Sequence, residues 1–557
     1  MSTRMTAGRR SWLCGLIGLT LLMSGCSSGA SSNSGPGAGS GQAAGSGSGP
    51  AAGSGAAGAT VPSVNIALGA HPNSLDITKH FDAVNMGTMS LFTEPLERIA
   101  SDGSTTPNLA TKVAEPNDTT IVYTLRDDAT FSNGDPLTPA DVVWTIQHVT
   151  DAKAGAQTSS LVKSVASVKQ TGDNEVTVTL SHPDPTVRKN LSLVALVQNA
   201  KFAKAHASDL GTPAAVPVGT GPYQVTKFGT EAVTLTRNPH YWGDKPAPDA
   251  VTISYLATDN TAQLAMRSGD IQGALVNDAT TLAQWKAIGG STAYSSQALL
   301  SQFLSLDTTA APFDDPHVRK AMAYAIDRKG LLQAAFGGNA SLLPSLMPVG
   351  VIAPVAPSED AANSFLDGLP AYEFDMDKAK AELAESSHAD GFAVTIPYIS
   401  EQPWSKLTVL NLQQNLKPLG ITVTPKPLSS QEWVAAVFGH KTTSVWPMAF
   451  AAATPDPVGL GRVVTEAAMT APGGYNFAKW APADLQEPAE TLTSSVDKAA
   501  RWEAAQKILT AIATEVPYIP LFQPQYNLVL AKGFTFAETP GIMEVASGTW
   551  MNELRAG

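Results

Sequence analysis

The sequence predicts a mixed α/β protein of two or more lobes, and three observations carry that expectation. Period-2 apolar alternation and 3.6-residue apolar periodicity are interleaved from Val61 to the C-terminal end. One unit, 393–428, is explicit: a strand (FAVTIPYI), a helix marked by Val409, Leu412, Leu416 and Leu419 that stops at Gly420, and a second strand (ITVTPKPL). Two strands separated by one helix form a right-handed crossover with parallel strands. The third observation is length: 557 residues exceed what a single hydrophobic core organises.

The chain opens with Arg4, Arg9 and Arg10, then an apolar run over 11–23 (SWLCGLIGLTLLM). That run has the length of a signal-peptide core and falls short of the ~20 apolar residues that span a bilayer. Residues 27–60 hold only Gly, Ser, Ala, Pro, Asn, Gln and one Thr. Such a composition builds a flexible tether with a coil reach on the order of 30 Å. From Val61 the elements follow. Val64, Ile66 and Leu68 alternate as a first strand. Residues 119–149 read as strand, turn and helix: Ile121, Tyr123 and Leu125 alternate, Asn133 to Pro136 form the turn, and Thr138 caps a helix with Pro139 first and Asp141 third. Residues 174–180, 231–237 and 250–256 are further strands. Residues 316–335 and 497–516 are predicted as helices, the latter with a stripe of Trp502, Ala505, Leu509, Ile512 and Val516. The proline-rich piece 343–372 is expected as an ordered surface loop.

Composition excludes several functions. The formal charge is −12, against the basic face that nucleic acid demands. The two cysteines, Cys14 and Cys26, both precede Val61, so no disulfide framework or thiol chemistry is expected in the globular part. There is no G-x-x-x-x-G-K-[ST], no H-E-x-x-H and no G-x-S-x-G. The nine histidines are scattered, and the nearest pair in the globular part, His71 and His80, is too far apart for one helical face. No catalytic residue, metal site or cofactor is therefore expected, although carboxylates are plentiful enough that a hydrolase stays open as an alternative.

Specific wording adds to this reading. EPLERIA (94–100), YTLRDDATFSNGDPLTPADVVWTI (123–146), VGTGPY (218–223), RNPHYWGDKPAPDAVTI (237–253), RSGDI (267–271), LDTTAAPFDDPHVRKAMAYAIDRKGLL (306–332) and VPYIPLFQP (516–524) occur in this order. In that order and spacing the chain resembles the extracytoplasmic dipeptide-, oligopeptide- and nickel-binding proteins (family 5) that serve ABC importers. The resemblance implies a two-lobed fold of the periplasmic-binding-protein type (type II) with an extra subdomain in the first lobe. By that pattern lobe I comprises 61–104, 201–301 and 517–557, the extra subdomain 105–200, and lobe II 302–516, with hinge crossings near 299–306 and 516–524. It further implies a monomer that captures a peptide or similar small solute, delivers it to a permease and ATPase complex, and catalyses nothing. A non-peptide solute (metal chelate, haem or sugar) and a ligand sensor remain as alternatives. Met23-Ser24-Gly25-Cys26 resembles a bacterial lipobox, with Met23 where Leu is usual. It implies cleavage after residue 25, lipidation of Cys26 and residence on the outer face of the cell membrane, at the cell surface or in the periplasm. An ordinary secretory signal is the alternative.

The ligand-binding expectations centre on one loop. In peptide binders of this resemblance, a lobe II loop supplies an aspartate for the ligand's α-amine, three residues before an acidic-Pro pair. Matching Asp456-Pro457 to that pair puts Ala453 at the anchoring position, beside Thr454. A register slipped by a residue or two would let Asp456 serve instead. Trp446 in the preceding apolar run, together with Trp404, Tyr398, Tyr475 and Asn476, are candidate pocket residues, since aromatic walls with sparse polar groups suit ligand sites. Arg462 is the candidate partner for a ligand carboxylate.

Overall fold

The computed structural model describes residues 61–440 and 445–557; Cys26 and the tether lie outside them, as does the side chain of Arg462. A ten-stranded sheet organises the chain. Its main path runs Val445–Ala451, Leu300–Leu306, Tyr518–Leu530, Gly273–Leu275, Val64–Leu68, Ala250–Tyr255, Ala232–Arg237 and Tyr223–Phe228, with Thr292–Gln297 and Ala340–Leu342 also paired to Tyr518–Leu530. That last strand is 13 residues long. Its first part pairs with Leu300–Leu306 and Ala340–Leu342, from Ser305↔Tyr518 to Ala340↔Pro524. Its second part pairs with Thr292–Gln297 and Gly273–Leu275, from Gln297↔Gln525 to Thr292↔Leu530. One strand therefore belongs to two sheet regions, and Thr292–Gln297 passes through Ala298 and Leu299 into Leu300–Leu306 alongside it.

The buried core divides at the same place. Two clusters draw their buried residues from Val64 to Ile288 and from Tyr526 to Leu554. Two others draw theirs from Phe303 to Phe522. We call these the first and second halves. Burial of contiguous apolar surface is the main favourable term in each, so each half has its own reason to hold together. Among the described residues, side chains also cross over: Ala453, from the second half, packs on the first half's core, and Ala279 packs on the second's.

The 119–149 stretch folds as strand Thr120–Leu125 and helix Pro139–Thr150, with Gly134 at φ +86° in the turn. The Asp141 carboxylate accepts the Thr138 backbone N–H at 3.0 Å, closing the helix start. Val142, Ile146 and Val149 are buried beneath a four-stranded antiparallel sheet of Ala110–Asn117, Thr120–Leu125, Glu175–Leu180 and Val165–Gln170. In the second half, Ala393–Ile399 and Thr422–Leu428 pair in parallel around helix Pro403–Leu416, which a short 3-10 turn extends to Gly420 at φ +78°.

Two expectations are corrected. Residues 316–335 form two helices, Pro316–Tyr324 and Arg328–Phe336. Asp327 restarts the helix by accepting the Gly330 N–H at 2.9 Å. The Arg328 guanidinium turns inward to the carbonyls of Pro520, Ala323 and Tyr372, and burial pushes its pKa down to about 10. The 343–372 piece is not a surface loop. It carries helices Val349–Ile352 and Glu359–Asp367, the second capped by Ser358, and buries Leu346, Met347, Val351, Ile352, Val355 and Leu366. Its prolines separate short helices and do not exclude them.

Candidate functional site

The loop after strand Val445–Ala451 leaves the sheet where the two halves meet. Its Ala452 N–H donates to the Leu299 carbonyl at 2.8 Å, beside the crossing. Ala453 then lies against the first half's core, and Thr454 is buried. At Pro455 the backbone meets Gly103: a Cβ on Gly103 would stand 3.0 Å from the Pro455 carbonyl oxygen and 3.1 Å from Pro354 Cγ. Gly103 also sits at φ +79°, a conformation side chains resist. The sequence thus keeps this point of contact free of a side chain.

Asp456 follows, its side chain fully buried. Arg501 grips it in a bidentate pair, with Nη1 at 3.2 Å from Oδ2 and Nη2 closer to Oδ1. Lys189 Nζ lies 3.1 Å from Oδ2 and donates to the Pro455 carbonyl at 3.0 Å. The Val458 N–H completes the shell at 3.0 Å from Oδ1. Arg501 comes from helix Lys498–Glu515 in the second half and also donates from Nε to the Leu492 carbonyl. Lys189 comes from helix Val187–Val194, whose Val187, Leu191 and Val194 belong to the first half's core. Its neighbour Arg188 reaches back, pairing with Glu97 at 2.5 Å and Glu115 at 2.6 Å. A buried carboxylate is tolerated when paired and fully hydrogen-bonded, and here the pairing comes from both halves. Near it, hydrogen bonds from Ser104 hold the Asp102 carboxyl below the usual range, and the Lys189 charge acts in the same direction.

The other candidates belong to the second half, and Trp446 stands in the strand that leads into this loop. Trp446 is buried in its strand, edge-on to Trp433 with ring centres 6.1 Å apart, in the second half's core. Trp404 is buried in that half's other cluster. Tyr398 is half-buried, opposite Pro427. Tyr475 is half-buried with its ring 5.2 Å from Phe438, and burial raises its pKa. Asn476 is wholly buried: its Oδ1 accepts from the Trp480 N–H at 3.2 Å and the Tyr518 hydroxyl at 3.0 Å, while Nδ2 donates to the Trp480 carbonyl. On the crossing strand, Ser301 Oγ, Gln302 Oε1 and Ser305 Oγ are buried without a hydrogen-bond partner among the described residues.

Sequence reasoning missed Lys189, Arg501, Gly103 and Pro354. Arg501 left a signal: it stands four and eight residues before Ala505 and Leu509, so a charge interrupts an apolar stripe. Lys189 left none.

Comparison with known proteins places the chain. Residues 104–467 match the family described as bacterial extracellular solute-binding proteins, family 5 Middle. The chain belongs to that family. This family 5 protein is 27% identical over 351 residues to "Probable di/tripeptide-binding protein 5" of Pseudomonas aeruginosa, covering 58% of this chain and 64% of that one. It is 28% identical over 363 residues to the nickel-binding periplasmic protein of Escherichia coli, covering 61% and 66%. The matched stretch is thus slightly under two thirds of either relative. HbpA2 from Haemophilus parasuis superposes with a TM-score of 0.77 at 19% identity, over 89% of this chain and all of that one, which shows the shared fold. Family 5 proteins are extracytoplasmic solute-binding components of ABC transporters. Among the described residues of this member, no group of three or more His, Cys, Asp or Glu could hold a metal ion. No helix among them is long and apolar enough to cross a membrane.

Proposed function

We propose that this chain is the lipid-anchored capture subunit of an ABC importer, closing its two halves on a peptide or similar small solute and delivering it to a permease and ATPase complex. One observation carries the reading: two adjacent strands cross between separately cored halves, and a loop from the second half meets the first beside that crossing. Such a link permits hinge closure. Solute capture then needs no bond made or broken, only a higher affinity of the closed form for the ligand. In this reading lobe I is 61–104, 201–301 and 517–557, the extra subdomain is 105–200, and lobe II is 302–516. Cys26 carries the lipid, and the 27–60 tether lets a monomeric binding domain reach its membrane partner.

A peptide is the first solute class, on the name of the Pseudomonas relative. A specific observation favours keeping a second: Ala453 offers no acid to a ligand amine, and Asp456 already holds two cations. Native mass spectrometry of the mature chain purified from its own cells tests the reading. A stoichiometric small-molecule adduct released on unfolding is expected. A bare chain that instead hydrolyses added peptides would overturn it. Cys26→Ala is expected to move the protein from membranes to the soluble fraction, and continued membrane partition would remove the anchor.

A further inference from the structure

We propose that Lys189 and Asp456 form a latch between the two halves, in which the chain's own ammonium occupies the acid of the 452–457 loop, so that the captured solute brings no free ammonium there. This rests on the reading that the two halves close around a solute. Asp456 is the only carboxylate of this loop, and its side chain is fully buried while that of Lys189 is 17% exposed. Arg501 already neutralises Asp456 from within the second half, so the second half does not need Lys189 to balance a buried charge. Lys189 instead adds a contact that exists only when the halves meet, and adds it twice, to Asp456 Oδ2 and to the Pro455 carbonyl. The helix carrying it is fixed to the first half through Arg188 on Glu97 and Glu115, so the pull between Lys189 and Asp456 is transmitted to the whole half. Arg501 and Lys189 together satisfy Asp456, while the Lys189 charge also acts on Asp102 nearby. A ligand ammonium at this loop would have to displace Lys189 first. A neutral or anionic group would face no such obstacle. Because the pair is mostly shielded from solvent, salt screens it less than a surface pair.

The latch is read out without any solute. Small-angle X-ray scattering of the mature chain, freed of ligand by unfolding and refolding, is expected to show Lys189→Met with more extended conformers, its closed-to-open ratio lowered about fivefold or more. Lys189→Arg is expected to keep the wild-type ratio, and Lys201→Met, on an exposed helix face of the same half, to leave it unchanged. Lys189→Gln serves equally if the Met variant does not fold. Scattering of Lys189→Met and Lys189→Gln that superimposes on wild type would overturn the latch, while leaving the solute-binding reading intact. For the solute, calorimetry is expected to show that Ala-Ala-Ala binds wild type no better than N-acetyl-Ala-Ala-Ala. Binding of the free-amine peptide that is lost on acetylation would overturn the assignment of the loop's acid to Lys189.

Discussion

Glu94 and Asp456 are both buried carboxylates with filled coordination shells, yet they do different work. Glu94 accepts from Arg98 at 2.8 Å, Trp242 Nε1 at 2.9 Å, Thr220 at 3.0 Å and Tyr241 at 3.3 Å. Every donor belongs to the first half. Burial, reinforced by the Glu94 charge, pushes the Tyr241 hydroxyl to about 12, so it stays a donor. Asp456 takes Arg501 from its own half and Lys189 from the other. The same chemistry therefore fastens one half internally in the first case and couples two halves in the second. Removing a donor should cost fold stability at Glu94, and should affect stability or closure at Asp456 depending on which donor is lost.

The largest expected effect is at Arg501. Arg501→Met leaves a buried Asp456 with only the cross-half cation, and equilibrium unfolding in urea should show a loss of about 3–5 kcal/mol. A loss under 1 kcal/mol would mean that Lys189 suffices and that the division of labour is wrong. Glu94→Gln should cost about 2–3 kcal/mol, because several buried donors lose an ionised acceptor. Its closed-to-open ratio should stay at the wild-type value; a shift toward open conformers would blur the comparison. Gly103→Ala should cost about 1–2 kcal/mol through its left-handed backbone and should also oppose closure, since the new Cβ meets Pro455 and Pro354. Lys189→Met should cost less stability than Arg501→Met, because Arg501 still neutralises the buried Asp456, while changing closure most.

Asp76 supplies a pH test of the internally satisfied type. Burial raises its carboxyl, but the hydrogen bond and charge of His148 and the bonds from Thr78 outweigh burial and hold it below 3.8. A depressed folded-state value gives stability that is fully present above the unfolded value near 3.8 and is lost as pH falls through the folded one. Acid unfolding of Asp76→Asn should therefore show a shallower fall of stability below about pH 4 than wild type. An unchanged acid limb would mean that Asp76 does not carry that linkage.

What the sequence made legible divides along the same line. The 119–149 stretch could be read because its information is local: alternation, a turn cluster and a cap occupy consecutive residues, and the structure returns strand Thr120–Leu125 and helix Pro139–Thr150. The 393–428 crossover was legible for the same reason. The break between Pro316–Tyr324 and Arg328–Phe336 was missed because the small residues around Ala325 suit a helix, while Asp327 and Arg328 are held by groups remote in sequence. The burial of 343–372 was missed because its prolines mark turns irrespective of what the intervening Leu, Met and Ile side chains pack against. The loop at 452–457 could be located through the family resemblance, and Ala453 and Asp456 do stand where the halves meet. Its chemistry could not be read, because Lys189 and Arg501 lie 267 and 45 residues from Asp456 and come to it only through the tertiary fold.

The proposed function requires the two halves to move together on a solute. Single-molecule energy transfer answers this in a chain with Cys14 and Cys26 replaced and dyes placed at Asp173→Cys and Asp390→Cys, exposed positions in the first and second halves. The prediction is a distribution of distances without solute that collapses to its shorter component when the co-purifying solute is restored. A single distance that the solute leaves unchanged would contradict the account.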